Sequence, residues 1–395
     1  MSTEVASGRA RRLTAVMREE ETVTPLELFF DLVFVLALTQ CTALMAAEPT
    51  WEGLAKGLLV LGVLWWSWVG YAWLTSVVDP EEGAVRLVIF AAMAALLVAG
   101  LCVPEAFEDT ALIFAGAYAV VRIAHIALFV LASRDDPLFR TSVVGLAIST
   151  AIGVALLIGA SFADGVLQGG LWAVALALDI GGPYFFGSEG WKLSSHHFAE
   201  RHGLIVIIAL GESIVAVGVG ADAKVDLGIV VAAVLGTGVA AALWWLYFDI
   251  VALVAARRLA NAEVGRVQNE MARDSYSYVH FPMVAGIVLV ALGMKKTLGH
   301  VEDPLKLVPA AALLGGTAMY LLAHVAFRFR HIRTLNTRRL GLSVLLVAFI
   351  PAAVEIPALA TIAVLAVALA LLIVAETRSY GEARRRTRHE LRHEG

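Results

Sequence analysis

VTPLELFFDLVFVLALTQ, residues 23–40, decides how the rest of the chain is read. From Pro25 onward it is apolar enough to enter a bilayer, yet Glu27 and Asp31 fall within its first two turns. Thr24 and Glu27 have the T-x-x-E spacing of a capping box, Pro25 stands at the first helical position, and Val23 and Leu28 are placed to staple the entry. Glu27 is thereby explained as part of a helix start. Asp31 is not, because it lies one turn further along the same face. A charged carboxylate inside hydrocarbon costs roughly 2.5 to 3.5 kcal/mol unless it is paired or hydrated.

The surrounding sequence has a membrane protein's composition. Of 395 residues, 59% are hydrophobic and 16% charged, against about a quarter charged in an ordinary soluble domain. Apolar runs of roughly 20 residues recur from residue 25 to residue 376, which predicts an all-α, polytopic transmembrane helical bundle of about twelve spans. With the N-terminus placed in the cytoplasm, most lysines and arginines fall on cytoplasmic segments; Lys295, Lys296 and Lys306 dissent. The positive-inside rule then puts both termini in the cytoplasm. The late, acid-bearing first run reads as a retained helix and not as a cleaved signal peptide.

The two halves echo each other in order. Trp65-Trp66 matches Trp244-Trp245, Tyr118 with Arg122 matches Tyr320 with His324, and Arg140 matches Arg338. The chain is therefore divided into a basic N-tail (1–24), a first six-helix repeat (25–190), a second (191–378) and a basic C-tail (379–395). An even number of helices per copy makes such repeats parallel. The bilayer is the partner that composition implies. No nucleic-acid signal, Walker loop, dinucleotide fingerprint or soluble catalytic domain is present, and no cofactor is expected. Cys41 and Cys102 are too few for a metal set, and whether they bond is open.

Acids recur where the second half begins, in SSHHFAERHGLIVIIALGESIVAVG, residues 194–218. Glu200 enters that span and Glu212 follows about 18 Å deeper, between Gly211 and Ser213. His196 and Glu200 are one turn apart beside His197, but without an H-E-x-x-H pattern a polar interfacial cap is favoured over a metal site. Asp179 precedes Gly181-Gly182-Pro183, which should break or loosen the sixth helix just after the acid, as at ion or substrate sites, or else mark an ordinary helix end. Asp249, Arg122, His125, His280, His324 and Glu355 complete the intramembrane set. Most of these groups fall in the cytoplasmic half, which suits either a wet vestibule or ion pairs that lock helices together.

TPLELFFDLVFVLALTQ and HFAERHGLIVIIALGESIVAVG resemble the bacterial low temperature requirement protein A family, and the resemblance extends over nearly the whole chain. Its marks are Glu27, Phe30, Asp31, Glu200, Arg201, His202, Gly203, Gly211, Glu212 and Ser213. The resemblance implies a multipass bacterial inner-membrane protein linked to growth in the cold; it supplies no substrate, cofactor or catalytic residue. The function expected is a permease or channel-like transporter of a small solute or ion. Asp31 and Glu212 are the candidate protonation sites, Arg122 their counter-charge, and Asp179 and Asp249 further candidates. The rivals are a membrane enzyme acting on a lipid headgroup through His196, His197, Glu200 and His202, and a non-catalytic scaffold.

Overall fold

Thr24 starts the first helix as its spacing predicts: its side chain accepts from the Glu27 amide, and the Glu27 carboxylate accepts from the Thr24 amide. The computed structural model describes residues 22–81, 83–185, 190–220 and 226–393, with side chains through residue 379. Most of the basic N-tail, Lys224 and the side chains of the basic C-tail lie outside the described residues.

The first half comprises α1 (Pro25–Ala47), α2 (Trp51–Thr75), α3 (Gly83–Cys102), α4 (Ala111–Ala132), α5 (Pro137–Ala160) and α6 (Gly165–Phe185). The second opens with α7 (Ser195–Gly220), α8 (Leu227–Phe248), the short α9 (Val251–Ala260) and α10 (Arg266–Met271). A π-helical turn (Ala272–Tyr278) then leads into α11 (His280–Gly299), α12 (Leu307–Ile332), α13 (Thr337–Ala353) and α14 (Ala358–His393). Within the first half, α1 packs on α2 and α3, α4 on α3 and α5, and α6 on α5 and α2. Within the second, α7 packs on α8 and α11, α12 on α11 and α13, and α14 on α13 and α8.

Among the described residues, eleven helices are long and apolar enough to cross a membrane. The eleventh expected span, α13, is the one that falls short, with only 17 residues, or about 26 Å of helix. It still traverses the bundle. Ala358 and Leu359 donate to the carbonyls of Asp303 and Val301, which holds the α13–α14 turn level with the α11–α12 loop.

Four local expectations change. The eighth span stops at Phe248, and Asp249 and Ile250 separate it from α9. Glu355 is exposed in the turn before α14 and does not lie within a helix. α14 continues without a break past residue 378 into the C-tail. α6 does not break directly after Asp179 but ends at Phe185, two residues past Pro183, as an ordinary helix end; from the π turn the Tyr278 hydroxyl donates to the Ile180 carbonyl and Arg273 Nη1 to that of Pro183 at 3.3 Å.

Large apolar side chains such as Phe29, Leu32, Leu101 and Val234 face outward, as lipid contact requires. Inside, Trp65, Trp68, Tyr71 and Tyr276 are among the largest fully buried side chains. α11 and α12 approach so closely that a Cβ on Gly286 would stand 2.6 Å from the Gly316 carbonyl oxygen. Small residues permit such contacts where lipid supplies no hydrophobic drive between helices. Cys41 and Cys102 are buried and free, so the disulfide left open by the sequence does not form.

Candidate functional site

Three buried polar assemblies occupy the interior. The first joins the two halves. α1 presents Glu27 and Asp31 on one face, and α7 answers with His197 and Arg201 at the same four-residue spacing. Arg201 Nη1 donates to Glu27 Oε1 at 3.1 Å, and Nη2 donates to Asp31 Oδ1 at 2.6 Å. His197 Nε2 lies 2.8 Å from Glu27 Oε1, the Trp68 indole donates to Asp31 Oδ1 at 2.8 Å, and the Thr75 hydroxyl accepts from Arg201. Asp31 is 0% exposed. The acid that hydropathy left unexplained is therefore paired, and Arg201 is its counter-charge. Phe30 packs nearby against Tyr71 with the rings tilted, and His202 is caged by Trp68, Phe198, Tyr276 and His280.

The second assembly lies inside the first half. Arg122 on α4 donates through Nη2 to Asp179 Oδ1 on α6 at 2.9 Å and to the Thr150 hydroxyl at 2.7 Å, while Tyr118 donates to Asp179 Oδ2 at 2.9 Å. Arg122 is thus the partner of Asp179. The expectation that it balances Asp31 and Glu212 is corrected: those acids are served from α7 and α1, and α4 packs on neither helix. Arg122 and Asp179 wall a cavity of about 70 Å³ between α2, α4, α6 and the π turn. Trp66, Ser277 and Tyr278 also wall it, and the same three bound a second cavity of about 40 Å³ that reaches Gly62, Leu176 and Phe281. Trp66 meets Tyr278 edge-on, ring centroids 5.1 Å apart.

The third assembly lies within the second half. Arg339 on α13 pairs with Glu376 on α14 at 2.8 Å and donates to the Leu246 carbonyl. His324 Nδ1 lies 2.8 Å from Arg339 Nη1. A guanidinium only donates, so Nδ1 must accept and the His324 proton sits on Nε2. These groups, with Asp249 and His331, wall a cavity of about 210 Å³ among α8, α9, α12, α13 and α14.

The five transport candidates thus separate. Arg122 and Asp179 share one cavity wall, Asp249 lies on another, and Asp31 is enclosed at the joint. Glu212 lies further along α7, buried, and accepts from the Thr39 hydroxyl on α1. The headgroup-enzyme set does not assemble. His196 and Glu200 are exposed, Glu200 accepting from the Val23 amide, while His197 and His202 face different buried neighbours. Among the described residues no group of three or more His, Cys, Asp or Glu is placed to hold a metal ion.

Sequence reasoning did not single out Arg339 and Glu376. Glu376 was legible as an acid closing the last apolar run. Arg339 was masked by the basic cluster around it.

The profile of the family described as bacterial low temperature requirement A protein matches residues 22–374. An uncharacterized protein of Rhizobium meliloti (strain 1021) is 31% identical over 307 residues, covering 75% of this chain and 74% of its own length. No solved structure matches the chain.

Proposed function

The chain belongs to the bacterial low temperature requirement A family, and on that premise we propose that it is a permease or channel-like protein for a small solute or ion. One observation carries the reading: two successive cavities, the first walled by the buried Arg122–Asp179 pair, are divided by a shared wall of Trp66, Ser277 and Tyr278. α2 runs from Gly62 at the second cavity to Gly70 at the first, about 12 Å along the axis. This is the form of a narrow route held shut by two rings. The matching order of helix neighbours supports a parallel six-plus-six repeat, and the large cavity of the second half is its counterpart. The lysine and arginine asymmetry supports an inner-membrane protein with both termini cytoplasmic.

Proton coupling through Asp31 and Glu212 has less support than transport itself, since neither residue borders the three cavities described above. Asp31 serves instead as part of the joint between halves. The family description names a requirement at low temperature, and we assign this chain's transport to that condition.

The test uses protein reconstituted in liposomes, read by solute-driven swelling and by a potential-sensitive dye for ions. Trp66→Ala should raise flux by opening the constriction, and Asp179→Asn should lower it, both in protein that elutes and melts as a folded species. A null strain should regain growth in the cold from the wild-type gene but not from Asp179→Asn. Folded variants with unchanged flux would defeat the reading and leave the Arg122–Asp179 pair as a helix lock.

A further inference from the structure

The wall that Arg122 and Asp179 share carries donors that nothing among the described residues satisfies. Asp179 is fully engaged, one oxygen with Arg122 and the other with Tyr118. Arg122 directs Nη1 to the Trp66 carbonyl and Nη2 to Asp179 and Thr150. Arg122 Nε and Trp66 Nε1 have no partner among the described residues, and both side chains are more than nine-tenths buried. Each is a group that can only donate. A buried donor left unmet forfeits its hydration without return, so such pairs mark a place where an acceptor belongs.

Charge points the same way. Arg273 adds a second cation to the wall; its partner Asp274 stands off the wall and is shared with Arg330. Asp179 is the wall's only carboxylate, and its charge is already paired with Arg122 while Tyr118 donates to its other oxygen, so a cation entering here finds no unpaired carboxylate. The remaining surface is largely apolar, including Val69, Phe129 and Leu146, and such surroundings strengthen the attraction of an ion to fixed donors. At about 70 Å³ the space is well under the roughly 150 Å³ that accommodates benzene. A guest of one to a few heavy atoms fits; an organic acid with a ring does not.

We propose that this cavity binds a small monovalent inorganic anion of halide size, held by the Trp66 indole N–H and Arg122 Nε–H. The inference names the solute of the route described above and rests on that reading for movement, though not for binding. Purified protein in detergent would be melted in sodium bromide or chloride against sodium gluconate at fixed ionic strength. Halide should raise the midpoint saturably, and Trp66→Phe, which removes one donor and keeps a ring, should weaken the apparent affinity at least tenfold. Exchanging sodium for potassium in gluconate should change nothing. No saturable halide effect, or an equal effect in Trp66→Phe, would overturn the site and leave the cavity to water.

Should Trp66→Phe fail to fold, anomalous scattering from bromide-soaked crystals of the unmodified protein decides: density beside Trp66 and Arg122 sustains the site, and an empty cavity refutes it. Liposomes loaded with a chloride-sensitive dye separate this inference from the broader one. Halide binding without flux sinks the permease reading alone, whereas flux of another solute without halide binding sinks the anion alone.

Discussion

Replacing Arg201 with methionine removes the cation from the joint between halves and leaves two carboxylates behind. Arg201 stands 3.1 Å from Glu27 and 2.6 Å from Asp31, with all three side chains 0% to 1% exposed. At an effective dielectric constant of about 20, each contact is worth about 5 kcal/mol of attraction, largely offset in the native protein by the cost of desolvating the charges. Glu27 and Asp31, one turn apart at about 6 Å, repel by about 3 kcal/mol on the same scale once the arginine is gone. Removing one partner of a buried pair typically costs about 3 to 5 kcal/mol, and Arg201→Met should fall at or above that range. The change is conditional on the charge left behind. Adding Asp31→Asn to Arg201→Met should therefore recover at least about 1.4 kcal/mol, a decade in the folding equilibrium. Reversible unfolding in mixed micelles, run as a double-mutant cycle over Asp31 and Arg201, measures both quantities. A loss below about 1 kcal/mol for Arg201→Met, or strict additivity in the cycle, would refute the view that this cluster clamps α1 to α7.

Two further outcomes follow from the packing and from the loops. Gly286→Ala should destabilise by about 1 to 3 kcal/mol through overpacking, because its Cβ would stand 2.6 Å from backbone on α12. Gly116→Ala, with nothing within 4 Å, should be neutral or stabilise by about 0.5 to 1 kcal/mol as a helix-interior replacement, and the same unfolding assay compares them. Outside the spans, Asp136 caps α5 through the Phe139 amide and pairs with Lys192 at 3.1 Å; those contacts hold its carboxyl below the usual carboxylate range. A depressed native pKa stabilises fully above the unfolded value and is lost as pH falls through the native one. The stability difference between wild type and Asp136→Ala should thus be flat at neutral pH and shrink on acidification below the ordinary aspartate range, as melting across pH would record.

How much was legible divides along the range of the forces involved. Helix starts, apolar runs and acids in need of partners are written locally: Thr24 and Glu27 close their capping box within four residues, and hydropathy needs no knowledge of neighbours. The requirement that Asp31, Asp179 and Glu212 be partnered followed from the same local facts. The partners did not, because the groups that meet Asp31 and Asp179 stand 170 and 57 residues away along the chain. Which cation reaches which acid depends on which helix faces are pressed together. Gly181-Gly182-Pro183 marks the boundary most sharply. The local signal left a break and an ordinary helix end both open; the helix runs two residues past Pro183, where Tyr278 and Arg273 from the distant π turn donate to its carbonyls. The sequence by itself determined a membrane bundle whose buried charges require company; tertiary packing alone chose the company, and with it the cavities that those pairs enclose.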